Sequence, residues 1–256
     1  METLILDKRE GFAILTLNRP REMNALSRQL RKELDQALDN CTADENIRVL
    51  ILTGSGRAFC AGLDLKELSE AGVDGVADID SSLIRKIEAF EGPVIGAING
   101  HAITGGFELA LACDVLIAGK NARFADTHAR VGLLPGWGLS QKLPRMIGMS
   151  RAKEMSFSGA PVFAQQAYEW GLVNHVVPAD ELLDTAIAMA ENMCQCVPAI
   201  LRQYKRLIED GFSMPYKESL AWEQTLSIES AKENMGGIAQ RREAVMNQGR
   251  SEKNAS

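Results

Sequence analysis

Three apolar segments constrain this chain more than any other feature. VLILT at residues 49–53, PVIGAI at 93–98 and DVLIA at 114–118 are too short for buried helices and too apolar for surface strands. Such runs read as strands covered on both faces, as in parallel sheets. The first closes on Gly54-Ser55-Gly56 and the second on Asn99-Gly100, both turn signals. Helical patterns lie between them. Ser27 offers an N-cap, and residues 29–38 set Leu30, Leu34 and Leu38 on one face. Short helices are expected at 64–68, at 81–90 and from Gly105 onward. FAILTLN at 12–18 is a further strand, ending at Arg19-Pro20. Strand alternating with helix predicts an α/β fold with a parallel component.

Beyond about residue 138 helical patterns dominate, at 139–147, 150–158, 164–170, 180–196, 199–210 and 215–234, with one short strand at 174–177. Ser150 and Asp180 stand where helices begin, Gly171 and Gly211 where they end. No Pro- or Ser-rich linker interrupts the chain. The expected division is a core at 1–195 that carries the site and a helical C-terminal region at 196–256, with a polar, frayed tail from Gln248.

Charge excludes some functions. Lys and Arg total 28 against 34 Asp and Glu, a net charge of −6. A general nucleic-acid binder needs a basic surplus, so none is expected as a partner. A local basic patch for one anionic small molecule stays open. No apolar run nears the ~18 residues of a membrane span, and the most apolar region, 109–118, contains Asp114. The start lacks a secretory pattern and the end lacks a peroxisomal tripeptide, so a cytoplasmic protein is expected. Five cysteines (Cys41, Cys60, Cys113, Cys194, Cys196) imply no disulfide framework. Cys194 and Cys196 have no nearby histidine and read as ordinary helix residues. With His101, His128 and His175 the only histidines, no metal site is expected.

The chemistry concentrates at two strand-to-helix junctions, GSGRAFCAGLDLKEL at 54–68 and INGHAITGGFELALACD at 98–114. Neither is a nucleotide-binding glycine motif. Helix starts expose unpaired N–H groups and partial positive charge. Two that converge can hold an oxygen that becomes negative during reaction, an oxyanion hole made of backbone. Leu63 and Gly105, each at or just before a helix start, are the natural donors. Glu108 lies three residues after Gly105, on the same helical face. It either faces a substrate there or complements the helix dipole.

LNRPREMNAL at 17–26, GSGRAFCAGLDL at 54–65, NGHAITGGFEL at 99–109 and VGLLPGWG at 131–138 together resemble the enoyl-CoA hydratase/isomerase (crotonase) family, in order from about residue 5 to residue 245. The resemblance implies a crotonase-like spiral of ββα units followed by helices used in trimerisation, with homotrimers often paired into hexamers. It implies an acyl-CoA substrate whose thioester oxygen sits between the Leu63 and Gly105 N–H groups. Met23, Ala25, Ala61, Asp64, Leu65 and Lys66 would bind substrate along the CoA channel. Glu108 matches one of the family's two catalytic glutamates. Neither a metal nor a separate cofactor is implied, since CoA is part of the substrate.

The second catalytic glutamate of the family falls where this chain has His128, within FADTHARVG at 124–132. An imidazole transfers protons near neutral pH, so His128 is a candidate catalytic group, tuned by Asp126 and Arg130. A rate that depends on it would titrate near the ordinary histidine value of about 6.5, moved by burial or a neighbouring charge. The alternative is a pocket wall. Trp137 is either a wall of the acyl pocket or a packing residue, and His101 and His175 read as structural or surface groups. Ser230, Glu233-Asn234 and Ile238 depart from the family pattern. Arg241 or Arg242 either reaches a CoA phosphate from a neighbouring subunit or lies on a solvated helix face. The expected activity is hydration of trans-2-enoyl-CoA to 3-hydroxyacyl-CoA. The alternatives are a double-bond isomerase, another reaction of the family, or an acyl-CoA-binding protein with impaired catalysis.

Overall fold

The computed structural model describes residues 1–72, 80–238, 241, 242 and 246. They fall into two compact units, Met1–Leu201 and Arg202–Ser256.

The first unit opens with strands β1 (Leu4–Lys8) and β2 (Phe12–Leu17) and helix α1 (Arg28–Thr42). The Ser27 side chain accepts from the Leu30 N–H at 3.2 Å, the cap expected from sequence. Leu30, Leu34 and Leu38 are buried on one face of α1, each contributing about 1.5–3 kcal/mol of hydrophobic transfer. Buried Glu33 on the same helix accepts from the backbone N–H groups of Glu2, Thr3 and Leu4 and from the Thr3 and Gln29 side chains, which ties β1 to α1.

The next three turns of chain repeat one plan. β3 (Val49–Gly54), β4 (Ala58–Cys60) and α2 (Leu65–Ala71) form the first turn, and α3 (Ser82–Glu88) follows. β5 (Val94–Ile98), β6 (His101–Ile103) and α4 (Gly105–Leu111) form the second. β7 (Val115–Gly119), β8 (Arg123–Ala125) and α5 (His128–Val131) form the third. Then come α6 (Leu139–Ile147), α7 (Met149–Ser158), β9 (Val162–Phe163), α8 (Ala164–Glu169), β10 (His175–Val177) and α9 (Leu182–Cys194). In each repeat the first strand joins a six-stranded sheet of order β1-β2-β3-β5-β7-β10 and the second a four-stranded sheet of order β4-β6-β8-β9. The first unit is therefore a spiral of ββα units, the fold class expected. Pairing is parallel throughout except at β1–β2 and β8–β9.

Strands β3 and β5 are apolar but for Thr53, whose hydroxyl donates to the Ala97 carbonyl, because both faces of the large sheet are covered. Leu50, Leu52, Val94 and Ile98 belong to the main core with α1 and α4. Val49, Ile51, Ile95 and Ala97 face Leu182, Ala186 and Ala190 of α9. The small sheet had no sequence signal, because strands of three residues carry no readable period. β1, for which the sequence reading made no assignment, is a strand whose alternation (Leu4 buried, Ile5 exposed) fits an edge. Gly211, offered as a helix stop, lies inside a helix.

Gly106 shows why the small sheet and α4 lie so close. A Cβ there would meet the Cys60 carbonyl oxygen at 2.0 Å, so only glycine lets the helix start rest on β4.

The second unit comprises most of α10 (Pro198–Phe212) and all of α11 (Tyr216–Asn234). Neither helix has a fully buried residue, and Phe212, Tyr216 and Ile228 are exposed. Among the described residues no helix is long and apolar enough to cross a membrane.

Candidate active site

The two predicted junctions meet. Main-chain segments 23–26 and 61–64 are bridged in parallel at Leu26 and Leu63: the Leu26 N–H donates to the Gly62 carbonyl at 2.8 Å and the Ala61 N–H to the Met23 carbonyl at 3.0 Å. Fully buried Asn24 anchors this pair. Its amide nitrogen donates to the Ser55 and Ala58 carbonyls at 2.9 and 2.7 Å, and its oxygen accepts the Arg19 N–H at 2.8 Å. Gly62 adopts φ +93, which turns the chain so that the Leu63 amide faces α4. The Leu63 and Gly105 N–H groups have no acceptor within the described residues. They sit side by side: a Cβ built on Gly105 would lie 3.5 Å from the Leu63 nitrogen. Leu63 stands one residue ahead of the N-cap Asp64, so its open amide comes from the bridged loop. Only Gly105 opens a helix.

A cleft open to solvent lies in front of these amides. Ala61, Leu63, Leu65, Gly105, Glu108, His128 and Trp137 line it, as do Thr104, Thr127 and the chain from Val131 to Gly136 in part. Met23, Ala25, Asp64 and Lys66 lie outside this lining. The Asp64 carboxylate is engaged elsewhere, capping α2 through the Lys66 N–H at 3.2 Å and pairing with Arg19 at 3.0 Å. The Ala25 carbonyl accepts from the same guanidinium.

Glu108 is 2% exposed. Its Oε1 accepts from the backbone N–H groups of Trp137 and Leu139 at 2.8 and 3.3 Å. Its Oε2 stands 3.5 Å from His128 Nε2. On the other side of the ring, Nδ1 is 2.7 Å from Asp126 Oδ1. A carboxylate, an imidazole and a second carboxylate therefore run in line from behind the cleft to its wall. Burial pushes the His128 imidazole down, but hydrogen bonds to Asp126 and Glu108 and the charges of both outweigh it and hold the group up at about 9. Both carboxylates thus favour the protonated ring. Burial pushes the Asp126 carboxyl up, yet hydrogen bonds from His128 and Ser156 bring it below the ordinary carboxylate range.

Thr104 was not anticipated. Its backbone sits at φ 54, ψ −114, a strained conformation for a β-branched residue, directly before the open Gly105 amide. Three bonds hold it: its N–H donates to the Ala125 carbonyl at 2.9 Å, its hydroxyl accepts the Thr127 N–H at 3.2 Å, and the two threonine hydroxyls meet at 2.5 Å. The start of α4 and the His128 loop are thus fastened together. Nothing in sequence links two hydroxyls 23 residues apart.

The remaining candidates lie elsewhere. Arg130 donates to the Ser158 carbonyl rather than to His128. His101 belongs to β6, held down by burial and then by Arg123 and Arg57, and His175 is exposed on β10. Trp137 is buried, with its ring against Gly105. Arg241 and Arg242 belong to the second unit and are exposed. Among the described residues no group of three or more His, Cys, Asp and Glu is gathered to hold a metal ion.

Two open amides beside a buried carboxylate and a charged imidazole suit an enzyme that stabilises an oxyanion while moving a proton. The enoyl-CoA hydratase/isomerase family profile matches residues 7–246, and the chain belongs to that family. It is 43% identical over 225 residues to a probable peroxisomal enoyl-CoA hydratase 1 of Arabidopsis thaliana, covering 87% of this chain and 85% of that one. It is 36% identical over 248 residues to the 2,3-dehydroadipyl-CoA hydratase of Escherichia coli K12, covering 94% and 97%. The crystal structure of an enoyl-CoA hydratase from Bacillus anthracis superposes with a TM-score of 0.84 at 38% identity, covering 87% and 88%.

Proposed function

We propose that this enzyme adds water to a trans-2-enoyl-CoA to give the 3-hydroxyacyl-CoA. The observation that carries the reading is the pair of open amides at Leu63 and Gly105 beside the Glu108–His128 pair in one cleft. The thioester oxygen accepts from both amides. Water attacks the β-carbon, and the electrons of the double bond move toward that oxygen as an enolate. Each fixed donor at such an oxygen is worth about 2.7–4 kcal/mol in the transition state. Glu108 takes a proton from the attacking water. His128, as imidazolium, delivers a proton from Nε2 to the α-carbon. The proton gained by Glu108 then returns to His128 across their 3.5 Å separation, restoring both groups. One water is consumed and no net charge is left. Ala61 and Leu65 contact the acyl-thioester end in this reading, while Met23, Ala25, Asp64 and Lys66 belong with the CoA portion beyond the cleft.

The test is loss of the conjugated-thioester absorbance of crotonyl-CoA, with 3-hydroxybutyryl-CoA as product. A 3-enoyl-CoA converted to the 2-enoyl isomer without hydration would replace this reading with that of an isomerase using Glu108 alone. Homo-oligomers, trimeric or hexameric, belong to the same proposal. The exposed apolar side chains of α10 and α11 support them, and a sedimenting monomer at micromolar concentration would remove them.

A further inference from the structure

We infer that Asp126 is the positioning residue of this site: it fixes the ring of His128 by Nδ1, so that Nε2–H is the only imidazole donor presented to the cleft. The inference rests on the hydration reading for what the proton does there, and on geometry for everything else. Asp126 is 3% exposed and absent from the cleft lining, so it acts through His128 and touches no substrate. One of its oxygens, Oδ1, accepts from both the His128 backbone N–H at 3.1 Å and the ring Nδ1 at 2.7 Å. These bonds leave the ring one orientation. A flip would turn a carbon toward the carboxylate, at the cost of a charge-assisted bond in a buried place. The carboxylate itself is steadied by Ser156 of α7. The next residue, Thr127, is latched to Thr104, so the whole loop is pinned to the start of α4.

Two carboxylates face the ring, Asp126 from its own loop and Glu108 from α4. From α7 the ring's neighbour Asp126 receives the uncharged Ser156, and Arg130 is turned to the Ser158 carbonyl. Glu108 changes its proton count during turnover in the proposed cycle, whereas Asp126 does not. Asp126 is therefore the constant charge that keeps His128 protonated while Glu108 cycles.

The experiment is Asp126→Asn, which keeps an oxygen for both His128 donors and removes the charge. The ring titration of His128 in the free enzyme is followed by NMR on labelled histidine, its signal assigned by loss in His128→Gln. The expected result is a midpoint lowered by roughly 1–3 pH units, the usual effect of one adjacent opposite charge. With crotonyl-CoA, the alkaline limb of kcat should move down by the same amount, KM should change less than about threefold, and turnover should recover as pH is lowered. Asp126→Glu should restore part of the shift. An unmoved midpoint in a folded Asp126→Asn protein overturns the inference, as does a loss of turnover that is equal at every pH. If the unaltered enzyme does not hydrate crotonyl-CoA, the hydration reading fails and the NMR midpoint still decides the role of Asp126.

Discussion

Glu33 and Glu108 are both buried carboxylates on helices of the same unit, 5% and 2% exposed, yet their oxygens are bonded in different ways. Both oxygens of Glu33 are saturated by donors from Glu2, Thr3, Leu4 and Gln29, and none of these is replaceable by a ligand. Glu108 has one oxygen saturated by the Trp137 and Leu139 amides and the other left facing an imidazole in the cleft lining. Saturation makes a carboxylate a fastener. Half-saturation holds it in place and leaves one oxygen facing the imidazole, where a proton-transferring group is needed in the proposed cycle. Burial does not separate the two roles; the count of unspent lone pairs does.

The comparison breaks most sharply under amide substitution. Glu108→Gln should lower turnover by about 10²–10⁴ with the fold intact, because the amide keeps the size and loses the base. Steady-state hydration together with a thermal melt checks both halves. Glu33→Gln should do the reverse. Its NH₂ group would face a backbone N–H that in the unaltered protein donates to a carboxylate oxygen, so stability should fall by roughly 1.5–3 kcal/mol with kcat nearly unchanged. Urea unfolding measures the first and the crotonyl-CoA assay the second. If Glu33→Gln depressed kcat as strongly as Glu108→Gln, lone-pair saturation would not mark the division.

A smaller effect is expected where the two junctions touch. Gly106→Ala would set a methyl against the Cys60 carbonyl, now 2.0 Å from the Cβ position, and α4 would have to shift. That movement carries the Gly105 amide away from the Leu63 amide. The expected cost is about 1–3 kcal/mol of stability for an overpacked contact, with a rise in KM smaller than the fall in kcat.

Glu33 and Glu108 also differ in how legible they were. The glycine-bearing junction announced Glu108, because a helix start and the i, i+3 relation place Gly105 and Glu108 together without any tertiary information. The long parallel strands were readable for the same reason: continuous apolar runs such as VLILT are a local property. Glu33 carries no such local signal, since its main-chain partners lie some 30 residues earlier. The small sheet, the Thr104–Thr127 latch and the line from Asp126 through His128 to Glu108 share that property. Each depends on which loops the spiral brings side by side. The sequence named His128 and Asp126 as neighbours, but the proximity of Glu108 on the far side of the ring comes from the parallel pairing of β6 with β8.

The gentlest test uses pH, and it separates the two sites by sign. Burial pushes Glu33 up, but its hydrogen bonds, from Glu2 first, bring it down to about 2. Its folded value lies below the unfolded value of about 4.3, so its stabilisation is complete above that pH and is lost as pH falls toward 2. His128 behaves oppositely. Its value of about 9 lies above the unfolded value of about 6.5, so its stabilisation is complete below 6.5 and is lost as pH rises through 9. Stability should therefore weaken at both ends for separate reasons, with Glu33→Gln flattening the acid side and His128→Gln the alkaline side. At the alkaline end hydration should follow His128. If the imidazolium is the proton donor, kcat falls as pH rises through about 9 and no step appears near the ordinary histidine value of 6.5. A step near 6.5, or an alkaline limb that survives in His128→Gln, would mean that the line of charges does not govern the reaction and that Glu108 works without it.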